Sequence, residues 1–267
     1  MNTMTDLVTL NSRRLAVAWG YPDDLQTHWS LGYCQGDGVC YSGRITPAEI
    51  PRLVDGMTAR GRLDERAARL LKRLASTGRP DITLRYTGCY TYSGCTDIIA
   101  DDVPGYAQAL QVRFETVLRE DFDSLCYEAE SEGYCLLEAR WPYPYCRDDN
   151  RGTPLFCRRT GYLTVQAEIT SDGGAEDLFI DDGLAYECLI LPALQQNLLF
   201  PQVKLSVTVT KTGEELASLY CDLFFRSAEP LRRTFSGIRH ELKTLFAQTR
   251  QSLAERRQIY HNIRLAV

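Results

Sequence analysis

Histidine is scarce in this 267-residue chain, and the familiar catalytic motifs of enzymes are absent from its sequence. The three histidines, His28, His240 and His261, do not lie beside a Ser or Cys in a nucleophile turn. There is no HExxH pattern, no Walker motif and no glycine-rich phosphate loop at a helix start. We therefore expect a protein that is not an enzyme and that uses no cofactor.

Long apolar runs are also missing. No segment is long enough to span a bilayer, and residues 1–11 lack the basic and apolar regions of a signal peptide. We expect a cytoplasmic protein that does not contact membranes. The composition, 44% hydrophobic and 24% charged, is typical of globular proteins that bury a sizeable core.

Cysteine, by contrast, is abundant, with ten residues, although no CxxC pattern occurs. Cys34 and Cys40 bracket one predicted hairpin turn, and Cys89 and Cys95 bracket another, so four thiols could converge on a tetrahedral zinc ion. The favoured interpretation is that these cysteines are free thiols that pack as small hydrophobic residues. A third interpretation is a Cys-dependent enzyme, in which Cys34 or Cys40 pairs with His28.

The most specific local pattern is a predicted β-hairpin over residues 30–43. Alternating apolar residues favour two strands, and Gly36-Asp37-Gly38 supplies residues that reach positive φ at little steric cost. We expect Asp37 at the tip of a tight turn, with Gln35 beside it.

This stretch resembles a motif found in a group of largely uncharacterised phage and prophage accessory proteins, Ser-Gln-Gly-Asp-Gly-Ala-Cys-Phe-x-Gly. The second hairpin of that group carries His-Ser-Gly-Cys, which Tyr92-Ser93-Gly94-Cys95 matches here, and a long helix follows, matched by residues 104–130. The resemblance covers roughly residues 28–130. The departures from the pattern are Cys34 for Ser, Val39 for Ala, Tyr41 for Phe and Tyr92 for His.

The resemblance implies cargo of a mobile genetic element, and such cargo often disarms host immunity. It therefore implies an inhibitor of a bacterial defence system, of the anti-CRISPR or antirestriction type, in the host cytoplasm. The implied partner is a host defence protein or ribonucleoprotein complex, bound through protein–protein contacts.

The order of predicted elements indicates an α+β fold, in which antiparallel β-hairpins and sheets pack against long amphipathic helices. Its predicted elements are a strand at Leu15–Trp19, the hairpin, a helix opened by a Thr46–Glu49 capping box, a helix after Gly61, strands within 81–99, a helix over 104–130 and a strand at Tyr134–Trp141. The second part is predicted as strands at 163–169, 185–191, 203–210 and 216–225, followed by a long amphipathic helix.

We divide the chain into an N-terminal domain, 1–145, a linker, 146–158, marked by prolines and polar residues, and a C-terminal domain, 159–267. Paired strands followed by one long helix occur in both parts. This order predicts two similar halves.

Charged and aromatic residues supply the candidate interface. An acidic helix end could mimic nucleic-acid phosphate, although the net charge of −5 favours steric blocking by a mixed surface. The candidate interface residues are Gln35, Asp37, Tyr90, Tyr92, Asp121, Asp123, Glu128 and Glu130.

The alternative is a nucleic-acid-binding accessory protein that uses basic helices. Residues 60–79 form one basic face, which lacks interleaved aromatics that would stack on bases. Residues 229–267 form a second, with eight Arg or Lys residues against three Glu. A solvated helix face is the simpler interpretation of both.

Overall fold

The computed structural model describes residues 4–33, 36–88, 96–141, 154–170, 182–226 and 238–266. These residues form helices and antiparallel sheets, which confirms the α+β prediction. By its internal contacts the chain divides into two compact units, Asn2–Tyr134 and Cys135–Val267. The proposed linker, 146–158, lies outside the described residues as far as 153, and its end forms part of the strand Pro154–Arg159. The proposed domain bounds stay a prediction.

The first unit contains one four-stranded antiparallel sheet in the order β1-β2-β3-β4. Two helices, α2 and α3, come between β2 and β3 in the sequence, and the long helix α4 follows β4. The elements are α1 (Met4–Ala18), β1 (Gln26–Ser30), β2 (Gly38–Ile45), α2 (Ile50–Ala59), α3 (Glu65–Ala75), β3 (Ile82–Tyr86), β4 (Thr96–Ala100), a 3₁₀ turn (Gly105–Ala107) and α4 (Gln108–Arg140), whose residues after Tyr134 belong to the second unit.

Fully buried aromatic rings lie in the core of this unit, among them Tyr21, Tyr41, Phe114 and Phe122. The Phe122 ring of α4 meets Tyr21 edge-on at a centroid distance of 5.9 Å, and it meets Tyr41 of β2 at 6.1 Å. The Tyr41 hydroxyl donates to the carbonyl of Ser12 in α1 at 2.9 Å. The core therefore joins α1, the sheet and α4, and both of its buried tyrosines, Tyr21 and Tyr41, donate a hydrogen bond.

The start of α2 differs from the prediction. The Glu49 carboxylate accepts hydrogen bonds from the Thr46 backbone and hydroxyl at 2.7 and 2.8 Å, as in a capping box, but these residues form a turn. The helix begins at Ile50, with Pro51 in its first turn. Proline suits that position because its missing N–H would have no helical partner there. The helix predicted after Gly61 is confirmed as α3.

Two strand predictions, at the ends of α1 and α4, are wrong. Residues 15–18 end α1, and residues 134–140 continue α4, which is therefore longer than the predicted 104–130. Both stretches are short apolar runs, and periodicity over so few residues does not separate strand from helix. In α1 the buried residues Leu7, Val8, Asn11 and Ala16 follow helical spacing, which only the longer window reveals.

The second unit contains a four-stranded antiparallel sheet in the order β5-β6-β8-β9. The strand predicted at 185–191 is wrong, because these residues belong to a helical segment with a π-helical turn at Tyr186–Ile190. The other three strands and the closing helix are confirmed. The elements are β5 (Pro154–Arg159), β6 (Leu163–Ile169), α5 (Asp182–Ala185), the π turn, α6 (Leu191–Gln196), β7 (Leu198–Leu199), β8 (Gln202–Val209), β9 (Glu215–Asp222), β10 (Phe225–Arg226) and α7 (Arg239–Ala266).

The two sheets share a topology. Each consists of two antiparallel hairpins joined side by side, with a helical segment between the second and third strands, and each is followed by a long helix. The short pair β7 and β10 is an addition to the second unit. The predicted similarity of the halves is therefore present in the order and pairing of the elements.

Helix α2 approaches the end of α1 closely at Gly56. A Cβ at this position would lie 2.3 Å from the Trp19 carbonyl oxygen. In a solvated helix, alanine in place of glycine would add roughly 0.5–1 kcal/mol of stability. We expect Gly56→Ala instead to lower the free energy of unfolding by about 1–3 kcal/mol, the usual cost of overpacking.

Urea unfolding of the full chain, followed by tryptophan fluorescence, measures this effect. Gly105→Ala is the control, because nothing lies within 4 Å of the position that an added Cβ would take there and its φ is not in the left-handed region. A Gly56→Ala variant as stable as the parent protein would contradict the close packing.

Candidate protein-binding groove

A hairpin is present here, but its first strand is Gln26–Ser30, which lies before the predicted position, and Asp37 is not presented at its tip. Strands β1 and β2 pair in register from Gln26 opposite Ser42 to Ser30 opposite Gly38, so seven residues of sequence, 31–37, separate them, more than a tight turn contains. Asp37 is only 7% exposed. Its carboxylate accepts from the backbone N–H of Gly32 at 2.7 Å and from the Tyr134 hydroxyl.

Asp37 therefore joins the ends of the β1–β2 connection through Gly32 and connects them to α4 through Tyr134. Burial and the hydrogen bond to Asp37 raise the pKa of Tyr134 well above its usual range, so this hydroxyl remains a donor at physiological pH. Of the remaining candidate interface residues on the two hairpins, Gln35, Tyr90 and Tyr92 lie outside the described residues.

Asp121 is a core residue, so its assignment to an exposed interface is wrong. Its side chain is fully buried, and both carboxylate oxygens accept from the Arg60 guanidinium, at 2.7 and 3.0 Å. The buried Tyr21 hydroxyl donates to the same carboxylate at 3.1 Å. Burial, followed by the charge of Asp121, raises the pKa of Tyr21 well above its usual value.

Arg60 makes two further contacts at this point. Its guanidinium carbon lies 4.3 Å from the Trp19 ring centroid, and its Nη1 donates to the Trp19 carbonyl at 2.9 Å. Arg60 belongs to the predicted basic face, but its guanidinium binds the buried Asp121 and the Trp19 carbonyl instead of facing a partner. We call Arg60, Asp121, Tyr21 and Trp19 the core ion-pair network.

The other acidic candidates lie further out on α4. Asp123 is half-buried, and burial raises the pKa of its carboxyl. Glu128 is exposed and Glu130 is partly exposed. With Asp121 removed from the surface, mimicry of phosphate by this helix end has lost one of its four carboxylates, and steric blocking remains the better hypothesis.

The cysteine hypotheses depend on residues that are largely outside the described part of the chain. Cys34, Cys89 and Cys95 lie there, whereas Cys40 is buried in the hydrophobic core of the first unit. Across the described residues, no group of three or more His, Cys, Asp or Glu side chains is arranged to hold a metal ion. His28 stacks on the Tyr86 ring at 4.3 Å, and its Nε2 lies 2.7 Å from the Ser42 hydroxyl.

A groove of about 480 Å³ lies between the end of α3 and the beginning of α4. Its floor is mainly aliphatic, and one rim carries Tyr106, whose side chain is 84% exposed. Leu70, also on the rim, is 42% exposed, although it is a large apolar residue. The lining residues are Leu70, Arg73, Leu74, Ser76, Thr77, Tyr106, Ala107 and Leu110.

A row of arginines runs beside the groove along the outer face of α3. Arg66, Arg69 and Arg73 are exposed, and their spacing of three and four residues places them on one face of the helix. Among the described residues, no acidic side chain pairs with any of these three guanidinium groups. We call these three residues the arginine row.

The other basic residues of the predicted basic face bind partners within the chain. Lys72 pairs with Asp55, and Arg62 donates to the Ser124 hydroxyl at 2.9 Å. Arg79 donates to the Asp102 carbonyl. The arginine row is therefore the part of the predicted basic face that remains available for a partner.

The sequence contained one signal for this site, the excess of arginine in residues 60–79. It contained no signal for Tyr106, which follows Pro104 in a short connection and reaches the groove only through the packing of α4 against α3. The aromatic residue that the basic face lacks in the sequence is thus supplied from elsewhere in the chain.

Comparisons with protein-family models, with curated proteins and with solved structures found no match to this chain. Within the described residues, no helix combines the length and the apolar character needed to cross a membrane.

The core ion-pair network predicts that two neighbouring carboxylates differ sharply in their effect on stability. Asp121→Asn leaves the Arg60 guanidinium without its counter-charge, so we expect the free energy of unfolding to fall by about 3 kcal/mol or more. Asp123→Asn is the matched control. It removes a carboxylate that burial disfavours, and we expect a change within about 0.5 kcal/mol.

Tryptophan fluorescence during urea unfolding reports on this network, since Trp19 belongs to it. Equal stability of the two variants would show that Asp121 contributes no more than a surface carboxylate.

Proposed function

We propose that this protein is a non-enzymatic phage or mobile-element accessory protein that inhibits a bacterial defence system by binding one of its proteins. The groove between α3 and α4 is the proposed binding site. The observation that carries the proposal is an exposed tyrosine, Tyr106, beside an aliphatic groove and the arginine row. The partner is a host defence protein or a ribonucleoprotein complex.

The residue types at the groove favour a protein partner. Tyrosine and arginine are enriched among the residues that contribute most to protein–protein affinity, and they act from well-packed pockets. Covering Tyr106, which is 84% exposed, would contribute a large share of the binding free energy. Its ring and the neighbouring Leu70 would lose their contact with water together. The aliphatic floor formed by Leu74 and Leu110 suits an apolar side chain better than a phosphate.

The assignment to anti-defence proteins depends on the hairpin motif, in which Gln35-Gly36-Asp37-Gly38 is the central part. Steric blocking is the proposed mode of inhibition. A net charge of −5 is modest for a nucleic-acid mimic, and the burial of Asp121 weakens mimicry further.

A second candidate function is nucleic-acid binding, which the position of Tyr106 beside Arg73 favours. Single-stranded nucleic acids are bound by basic grooves that carry aromatic side chains on which bases stack. On the C-terminal helix, Lys243, Arg250 and Arg257 are exposed as well. Such binding would weaken steeply with salt, because it releases counterions.

An affinity pull-down from a bacterial lysate that contains defence systems tests the proposal, with nuclease treatment in parallel. We expect the tagged full chain to retain a defence-complex protein whether or not nuclease is present. Tyr106→Ser should reduce the retained amount about tenfold or more, because it removes the exposed anchor.

Tyr162→Ser is the matched control, since Tyr162 is 83% exposed and lies in the second unit. Retention of nucleic acid alone, lost on nuclease treatment, would replace the proposal with the second candidate. Full retention by Tyr106→Ser would remove the groove from the interface.

A further inference from the structure

We infer that the occupant of the groove is an acidic amphipathic helix of the partner, with a large apolar side chain in the groove and carboxylates on the arginine row. This inference rests on the proposed function and adds the chemistry of the partner. It commits to a protein segment, and nucleic acid is an outcome of its test.

The geometry of α3 favours a helical segment of the partner. Arg73 is seven positions after Arg66, so at 1.5 Å per residue the row extends over about 10 Å, which is about two helical turns. Leu70 lies between these two arginines on the same face of the helix. A second helix that lies along α3 would bring its own side chains, three or four residues apart, to the arginines in succession.

The shape and polarity of the groove favour a large apolar side chain as its occupant. Its volume of about 480 Å³ is within the range of ordinary ligand pockets, and it accommodates a leucine or an aromatic side chain. The two polar lining residues at the end of α3 are already satisfied. The Ser76 hydroxyl donates to the Arg73 carbonyl at 2.7 Å, and the Thr77 hydroxyl donates to the Leu74 carbonyl at 2.6 Å.

The charge on the outer face of α3 favours an acidic partner. The chain as a whole carries −5, but α3 itself holds only one carboxylate, Glu65, and two carboxylates close to the helix are bound to other cations. Asp64 accepts from Arg113 at 2.7 Å, and it also accepts from the Ala67 backbone N–H at 2.8 Å as the N-cap of α3. Asp55 is bound by Lys72. The outer face of α3 therefore keeps positive charge that its surroundings do not neutralise, and this charge is complementary to an acidic partner.

A fluorescent helical peptide is the probe, about 18 residues long so that it is partly helical alone. It carries Trp and Leu four residues apart on one face, flanked by Glu. One control peptide replaces each Glu with Lys, and another replaces Trp and Leu with Ala. A single-stranded DNA of about the same length is the third control. Fluorescence anisotropy with the full chain, at about 50 and 200 mM salt, gives each affinity.

We expect the acidic amphipathic peptide to bind about tenfold or more tightly than each control peptide and the DNA. The Arg66→Gln/Arg69→Gln/Arg73→Gln variant and Tyr106→Ser should each weaken this binding about tenfold. The matched charge control is Lys243→Gln/Arg250→Gln/Arg257→Gln, which removes three exposed cations from α7 and should leave the peptide affinity unchanged.

Three results would overturn the inference: tighter binding of the DNA than of the peptide, equal binding of the acidic and basic peptides, or an affinity that the arginine-row variant does not change. The lysate experiment separates this failure from failure of the proposed function. A defence protein retained through Tyr106 but released equally by all peptides would leave the proposed function standing without the acidic helix.

Discussion

The buried ion pair between Arg60 and Asp121 is the constraint on which the first unit depends. A carboxylate with no exposed surface is stable only with its charge balanced and its oxygens hydrogen-bonded, and Arg60 and Tyr21 together meet both conditions. These three residues come from the end of α2, the segment after α1 and the middle of α4. Their contacts therefore hold three separate parts of the chain in one arrangement.

The groove follows from this arrangement. Helix α3 begins five residues after Arg60, and α4 carries Asp121, so the ion pair connects the two helices that form the walls of the groove. The same pair determines the character of the surface. It withdraws Arg60 from the basic face and Asp121 from the acidic helix end, and it leaves the arginine row beside Tyr106 as the exposed cationic feature of α3.

Sequence reasoning predicted the parts of the fold in which local chemistry and periodicity agree. The second strand of the β1–β2 hairpin, the helix α3 after Gly61, and the alternation of Val203, Leu205 and Val207 in β8 were predicted on this basis. The failures came from short apolar runs, at residues 15–19, 134–141 and 185–191. In each, a few apolar residues suit either a strand or a helix, and packing against the rest of the unit decides between them.

By itself, the sequence determined the α+β class, the repeated order of strands and helices, and the surplus of arginine in residues 60–79. These properties depend on composition and on periodicities that neighbouring residues share. Only the tertiary structure decided which charges are buried and which remain exposed. Asp121 and Asp123 lie two residues apart and are the same residue type, but one is in the core and the other lies near the surface, because only one meets Arg60 and Tyr21. Tyr106 joins the arginine row for a similar reason, since long-range packing of α4 against α3 brings them together.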